Sequence, residues 1–336
     1  MDASVNDFPK QKLVEPGLHF ALPEDVYHAD PALGSGDIRT LAVSPYDYWY
    51  TSDMNPMRPK VSEKDHLVRG RAMHKLIFEG RGAFDNLFII GPDQEGMSSG
   101  EKAASTRAAN VAAEKLGRSI IKRDDFNRVM LAAATVTNNP SLAVAFTGGC
   151  PEVSFFWTKN GVRLKARFDY LKCTPREESM IVGNGDLKSV ANEKRKSFKQ
   201  ACREAVANYR YDAQAAHYMD GLSRVVDAVK KSAVFVHSND AGVLNDAEMN
   251  LVRRLGHKRL KYGWQRIFCQ TTGAPATFSY FLSPMSPILE VGQAHVRRGF
   301  ENYVRCMEMF GTTAAWQIHE PPEELAMEEM PAYYAR

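Results

Sequence analysis

Between Glu152 and Asp169, hydrophobic and polar positions follow a two-residue period on either side of a turn signal. Glu152 to Trp157 is rich in Val and Phe, Asn160-Gly161 is the pair that a tight type I′ turn favours, and Val162 to Asp169 alternates strictly. The pattern predicts a β-hairpin with Val162, Leu164, Ala166 and Phe168 on one face and Arg163, Lys165, Arg167 and Asp169 on the other. A two-residue turn pairs Lys159 with Val162, and counting outward sets Glu152 opposite Asp169. Like charges across a ladder call for a cation or solvent between them, so at least one carboxyl should titrate high. A further strand starts at Met180-Ile181-Val182. Gly183-Asn184-Gly185 then predicts a bulge before Asp186-Leu187-Lys188, where Asp186 and Lys188, two residues apart, face one site.

Helical patterning surrounds these strands. Ser35 is the expected cap of a short helix carrying Ile38 and Leu41, and Ser44-Pro45 opens another. Leu67 to Glu79 reads as a helix closed by Gly80, with Met73, Leu76 and Ile77 as its apolar stripe and His74 beside it. Ser98 and Glu101 form a capping box before a helix over 101–116, and helical pattern continues over 123–146. Ser197 to Asn208 and Tyr211 to Val229 follow as helices, the second placing Tyr211, Gln214 and Tyr218 on one face. Thr277 to Leu282 reads as a strand with Ile288 to Val291 as its partner, and Gln293 to Phe310 as an amphipathic helix. These elements predict an α/β fold with a central mixed sheet flanked by helices. The expected organisation is a flexible arm over 1–16, one domain over 17–318 and an acidic tail over 319–336. Within the domain, a helical part spans 17–147, the core 148–236, an insertion 237–272, and terminal strands and helix 273–318.

Composition adds exclusions. A 44% hydrophobic chain of 336 residues can bury a substantial core. Five cysteines without C-x-x-C spacing argue against a disulfide framework, structural zinc or an iron–sulfur cluster. The lack of a leader or long apolar run leads us to expect a cytoplasmic protein without membrane attachment. A net charge of +3 is too small for global attraction to nucleic acid, so any such site needs local clustering. Arg253, Arg254, Lys258, Arg259, Lys261 and Arg266, interleaved with Tyr262 and Trp264, suit either a nucleic-acid groove or a solvated face. Tyr46, Tyr48, Trp49 and Tyr50 suit either core packing or stacking on a DNA end.

Carboxylates with one lysine are what Mg²⁺-assisted phosphodiester hydrolysis requires: hard oxygens hold the ion, and an ammonium orients the water or neutralises developing charge. A solvated strand end is the bland alternative. The arrangement Asp169, a gap, then Asp186-x-Lys188 resembles the PD-(D/E)xK nuclease superfamily. Gln214-x-x-x-Tyr218 and the run Arg69-Gly70-Arg71-Ala72-Met73-His74 are similar to elements of its RecB-type branch. The whole order, with Tyr27-His28-Ala29-Asp30 to Ser44-Pro45 upstream, resembles the RecE-type (exonuclease VIII) phage exonucleases over about 17–222 and more loosely 277–320. The intervening Gly183-Asn184-Gly185 departs from that family, and 237–272 is an insertion relative to it.

The resemblance implies a Mg²⁺-dependent exodeoxyribonuclease, Mn²⁺ substituting, that digests one strand of linear duplex DNA 5′ to 3′ and leaves 3′ overhangs for recombination. It implies His74, Asp169 and Asp186 as metal ligands joined by the Leu187 carbonyl, with Glu152 as metal or water ligand. Lys188 would position the water, while Arg69, Arg71, Arg167, Tyr211, Gln214 and Tyr218 would contact substrate. It also implies a homo-oligomeric ring, trimeric or tetrameric, working on DNA ends beside a single-strand annealing protein of RecT or Bet type. Two alternatives stay open: an endonuclease of restriction or repair type, and a non-catalytic DNA-binding protein on the same fold.

Overall fold

In the computed structural model, which describes residues 13–59, 65–192, 196–231, 235–238, 242–319, 322 and 326–330, the predicted hairpin is the centre of the molecule. Down the chain come β1 (Gly17–His19), α1 (Glu24–Ala29), α2 (Ser35–Val43), α3 (Pro45–Thr51), α4 (Asp65–Phe78), α5 (Gly80–Leu87) and β2 (Phe88–Ile90). Then follow α6 (Ser99–Leu116), β3 (Ser119–Ile121), α7 (Arg123–Thr137), α8 (Pro140–Ala143) and the long meander β4 (Gly149–Lys159), β5 (Val162–Arg176), β6 (Ser179–Val190). The remainder is α9 (Phe198–Asn208), α10 (Tyr211–Lys230), β7 (Phe235–His237), α11 (Asp246–Leu255), β8 (Leu260–Gln270), β9 (Thr277–Leu282) and α12 (Pro287–Phe310). Seven strands form one mixed sheet in the order β7-β1-β4-β5-β6-β8-β9, and β2 and β3 form a small parallel pair apart from it.

The apolar alternation of the hairpin explains one layer. Phe155, Trp157, Leu164, Ala166 and Phe168 bury against Ala215, Leu222 and Val225 of α10, with Phe300 and Tyr303 of α12 and Ile38 and Leu41 of α2 in the same core. A second core lies under α4 and α7, where Met73, Phe126 and Val129 meet Leu187 of β6 and Ile267 of β8. The sheet is thus covered on both faces, the predicted α/β arrangement. The polar face of the hairpin is not solvated either. Arg163 reaches Asp30, Lys165 donates to the carbonyls of Tyr27 and Asp30, and Arg167 donates to the Leu22 carbonyl, so the N-terminal segment is tied to β5 by its basic residues.

Several expectations need correction. β6 runs without a bulge: Gly183, Asn184 and Gly185 pair in regular register with Lys172, Leu171 and Tyr170. Glycine at 185 has a different reason, since a Cβ there would stand 2.7 Å from the Phe146 ring. Within 237–272, strand β8 lies parallel to β6 along eleven residues, inside the sheet. Trp264 and Arg266 are accordingly fully buried, and Arg254 caps the Cys173 carbonyl. β9 pairs with β8, and Ile288 to Val291 belongs to α12 instead of forming a partner strand. Gly34, not Ser35, precedes α2, its amide bound by Asp37. Of the expected arm, 1–12 lies outside the described residues, while Val14 is buried and its amide donates to Asp30. Most of the expected acidic tail lies outside them too.

α12 crosses its neighbours on glycines. A Cβ on Gly299 would stand 2.2 Å from the Ile38 carbonyl oxygen, and one on Gly292 would stand 2.3 Å from that of Asp212. Alanine normally strengthens a helix by about 1 kcal/mol over glycine. Here backbone must shift, so Gly299→Ala should destabilise by about 1–3 kcal/mol in urea unfolding. Gly36→Ala, on the outside of α2, should be neutral or stabilising. Equal effects at both positions would disprove the close helix crossing.

Candidate active site

The hairpin count places the first two carboxylates. The ladder keeps one register on both sides, Val153 with Phe168 and Pro151 with Tyr170, and the step between them, Glu152 against Asp169, is not paired. Glu152 takes a left-handed backbone at φ 50°. Both strands change face at this step: Cys150 and Val153, and likewise Phe168 and Leu171, enter the same core. Asp169 is thereby turned away from the row of Arg163, Lys165 and Arg167, and its Oδ2 accepts from the Leu187 amide at 2.8 Å.

β6 supplies the rest. In the regular strand Leu187 points into the α7 core while Asp186 and Lys188 point together toward α10, and Lys188 Nζ donates to Asp186 Oδ1 at 3.0 Å. The ammonium also lies 3.3 Å from the Leu187 carbonyl oxygen and 4.0 Å from Asp169 Oδ2. From α4, His74 reaches over: Nε2 donates to the Leu187 carbonyl at 2.9 Å, which fixes a proton on that nitrogen, and Nδ1 stands 3.7 Å from Asp169 Oδ2. From α10, Gln214 Nε2 donates to Asp186 Oδ1 at 3.2 Å, and the Tyr211 ring lies 5.9 Å from Lys188 Nζ. Tyr218, one further turn along, is buried edge-on against Phe168 and Trp264.

Arg167 stays near the cluster, 4.0 Å from Glu152, but its guanidinium is held by Ser154 and by the face of Tyr27. Arg69 and Arg71 are not brought in. Arg69 pairs with Asp125 of α7 at 3.0 Å, and Arg71 donates to Ser119 of β3. The aromatic group on α3 divides: Trp49 is buried, Tyr48 packs on Tyr303 and Trp316, and Tyr46 and Tyr50 remain exposed.

One residue of the basic stretch belongs to this cluster, a placement the sequence reading missed. Arg266, in register with Asp186 on β8, is fully buried with Nε 3.3 Å from Asp186 Oδ2, while Nη2 bonds Gln214 Oε1 and the guanidinium lies over the Tyr211 ring. Its signal was a single cation within the apolar run Trp264 to Cys269. A charge in such a run is kept only with a buried partner.

The charges are mismatched in one respect. Burial, and then Asp169, push the Glu152 carboxyl up to about 7. Burial alone would lower Lys188, but Asp186 and Asp169 outweigh it and hold the ammonium above its usual range. Among the described residues no three His, Cys, Asp or Glu side chains form a ready metal shell, since Lys188 stands among the oxygens. The donor chemistry nonetheless fits a hard divalent ion. Three carboxylates, one carbonyl and the Nδ1 of His74 converge where two carboxyls already repel.

Because the folded Glu152 prefers its proton, native stability should fall as pH rises from about 4.5 to 7 and stay flat above. A quarter of the side chain is still exposed, so we discount the penalty to about 2 kcal/mol. Glu152→Gln should therefore melt a few degrees above wild type at pH 8 in EDTA and equal to it near pH 4.5. A difference independent of pH would mean that Glu152 is not strained.

The family model of a PDDEXK-like domain of unknown function (DUF3799) matches residues 51–239. The chain belongs to this family. The matched stretch carries His74, Glu152, Asp169, Asp186, Lys188, Gln214 and Tyr218, but ends before Arg266. With the mixed sheet covered by helices on both faces, the chain has the α/β PD-(D/E)xK nuclease-like fold. A search of curated proteins found no match. Among solved structures, one titled "Putative exonuclease", from Eubacterium rectale, aligns with 91% of this chain and 97% of its own, at 12% identity and a TM-score of 0.45. Among the described residues no single helix is long and apolar enough to cross a membrane.

Proposed function

We propose that this chain is a divalent-cation-dependent nuclease that degrades DNA from an end. The observation that carries the reading is the convergence of Glu152, Asp169, Asp186 and Lys188 with the Leu187 carbonyl and His74, from four separate elements, with Glu152, Asp169, Lys188 and His74 each keeping part of their surface in water. A bound Mg²⁺ or Mn²⁺ ion supplies positive charge that polarises the scissile phosphate and acidifies water. Asp169, Asp186 and the Leu187 carbonyl would hold it, with His74 Nδ1 beside them. Lys188, kept charged by its two aspartates, donates to the attacking water or to the developing charge on phosphate. Glu152, ionising near neutral pH, accepts the water's proton. Gln214 fixes the Asp186 carboxylate through Oδ1.

The finer reading is a 5′ to 3′ exonuclease on linear duplex DNA that leaves 3′ overhangs, working as a trimeric or tetrameric ring beside an annealing protein of RecT or Bet type. What supports it is the chain order His74, Glu152, Asp169, Asp186-x-Lys188, Gln214-x-x-x-Tyr218. A linear duplex labelled at its 5′ ends should lose label with Mg²⁺ and not with EDTA, and a closed circle should survive. A nicked or cut circle would replace this reading with the endonuclease. Light scattering showing a monomer at micromolar concentration, with distributive digestion, would remove the ring.

A further inference from the structure

The link between α9 and α10 lies beside the carboxylate cluster without belonging to it, and it is held more firmly than a two-residue connection requires. Tyr209 ends α9, and Arg210 enters α10 with a left-handed φ of 49°, a conformation uncommon for a long side chain. Two cations hold it. Arg39 of α2 donates to the Tyr209 carbonyl, and the Arg210 guanidinium forks onto Asp212 at 3.1 and 2.8 Å. The backbone is fixed, yet the Tyr209 residue is 60% exposed.

That ring stands two contacts from the site. Tyr209 and Tyr211 lie 5.6 Å apart at 33°, and Tyr211 in turn lies 5.9 Å from Lys188 Nζ. At about 3.4 Å per stacked nucleotide, the two steps span at most roughly three nucleotides. The rim is also positive. α12 crosses the start of α10 at Gly292, where an added Cβ would stand 2.3 Å from the Asp212 carbonyl oxygen, and Arg298, less than two turns further along α12, is exposed. Asp212 offsets Arg210, while Arg298 is turned to water. A rigid exposed aromatic beside cations suits one ligand chemistry above others, an unpaired nucleic-acid strand whose bases stack while its phosphates follow the charge.

We propose that Tyr209 is a base-stacking residue that grips an unpaired DNA strand within about three nucleotides of Lys188, with Arg298 facing its phosphates. The inference rests on the nuclease reading for its substrate class and adds which form of DNA is held: the frayed or single-stranded part, not paired duplex.

The test is binding in EDTA, where no hydrolysis intervenes, of single-stranded oligonucleotides carrying 2-aminopurine and of a closed duplex circle. Wild type should change the fluorophore's emission on binding. Tyr209→Ala should lose that signal and bind the single strand about tenfold or more weakly, Tyr209→Phe should restore both, and neither should alter affinity for the circle. Arg298→Ala should lower the salt dependence of single-strand binding by about one ion. The proposal is overturned if Tyr209→Ala binds the single strand within twofold of wild type, or weakens circle and strand alike. Cleavage by wild type in Mg²⁺ is scored separately. A wild type that binds and signals without cutting sinks the nuclease reading alone, and one that cuts while Tyr209→Ala is unchanged sinks the stacking role alone.

Discussion

Asp169→Asn should lower divalent-ion-dependent DNA cleavage by about a thousandfold or more, while the fold and DNA binding in EDTA persist. The asparagine keeps a side-chain oxygen to accept from the Leu187 amide, so the local geometry at 2.8 Å survives. What disappears is the negative charge beside His74 and Lys188. An undercoordinated dication forfeits several kcal/mol of transition-state stabilisation, and about 4 kcal/mol corresponds to three orders of magnitude in rate. Lys188→Met should give a comparable loss by a different route, since it frees Asp186 Oδ1 while removing the donor that orients the attacking oxygen. Steady-state cleavage of a labelled duplex, with binding measured separately, reads both. Either variant retaining activity within tenfold of wild type would mean that the chemistry resides elsewhere.

Much of this site was legible because it rests on strand periodicity. The Asn160-Gly161 turn fixed the register of β4 and β5, and the count from it reached Glu152 and Asp169 correctly even though the ladder step between them is unmade. The i, i+2 rule placed Asp186 and Lys188 together. Helix faces were readable in the same way, and α10 brings Tyr211, Gln214 and Tyr218 toward one region. What failed depended on partners distant in sequence. Gly185 looked like a bulge because local signals cannot show Phe146 packed against the strand. The basic stretch around β8 read as one surface, a nucleic-acid groove or a solvated face; Arg253, Lys258, Arg259 and Lys261 are indeed exposed, but Arg266 is buried because β6 lies alongside. Arg69 and Arg71 lie just before the histidine in sequence, yet their guanidinia are taken by Asp125 and Ser119, partners distant along the chain.

Arg266 is the residue on which that lesson becomes measurable. It is fully buried, and Asp186 is 1% exposed, so each charge depends on the other. The dependence is unequal. Asp186 also has Lys188 and Gln214 on Oδ1, whereas among the described residues Arg266 has no second carboxylate in contact, only the Gln214 and Tyr211 oxygens and the ring faces of Tyr211 and Trp264. Removing the aspartate strands a guanidinium in the core, and breaking a buried pair in this way costs about 3–5 kcal/mol. Asp186→Leu should therefore unfold at markedly lower urea than wild type. Arg266→Met should cost less, roughly 2 kcal/mol, because Lys188 still neutralises the aspartate. The double variant removes both charges and keeps apolar volume, so it should be more stable than Asp186→Leu alone, with a coupling energy of about 2 kcal/mol or more. Urea unfolding of the four proteins in EDTA at pH 7.5 decides it. If the two single effects simply add, Arg266 does not answer the charge of Asp186, and the burial of both groups is sustained by something other than their pairing.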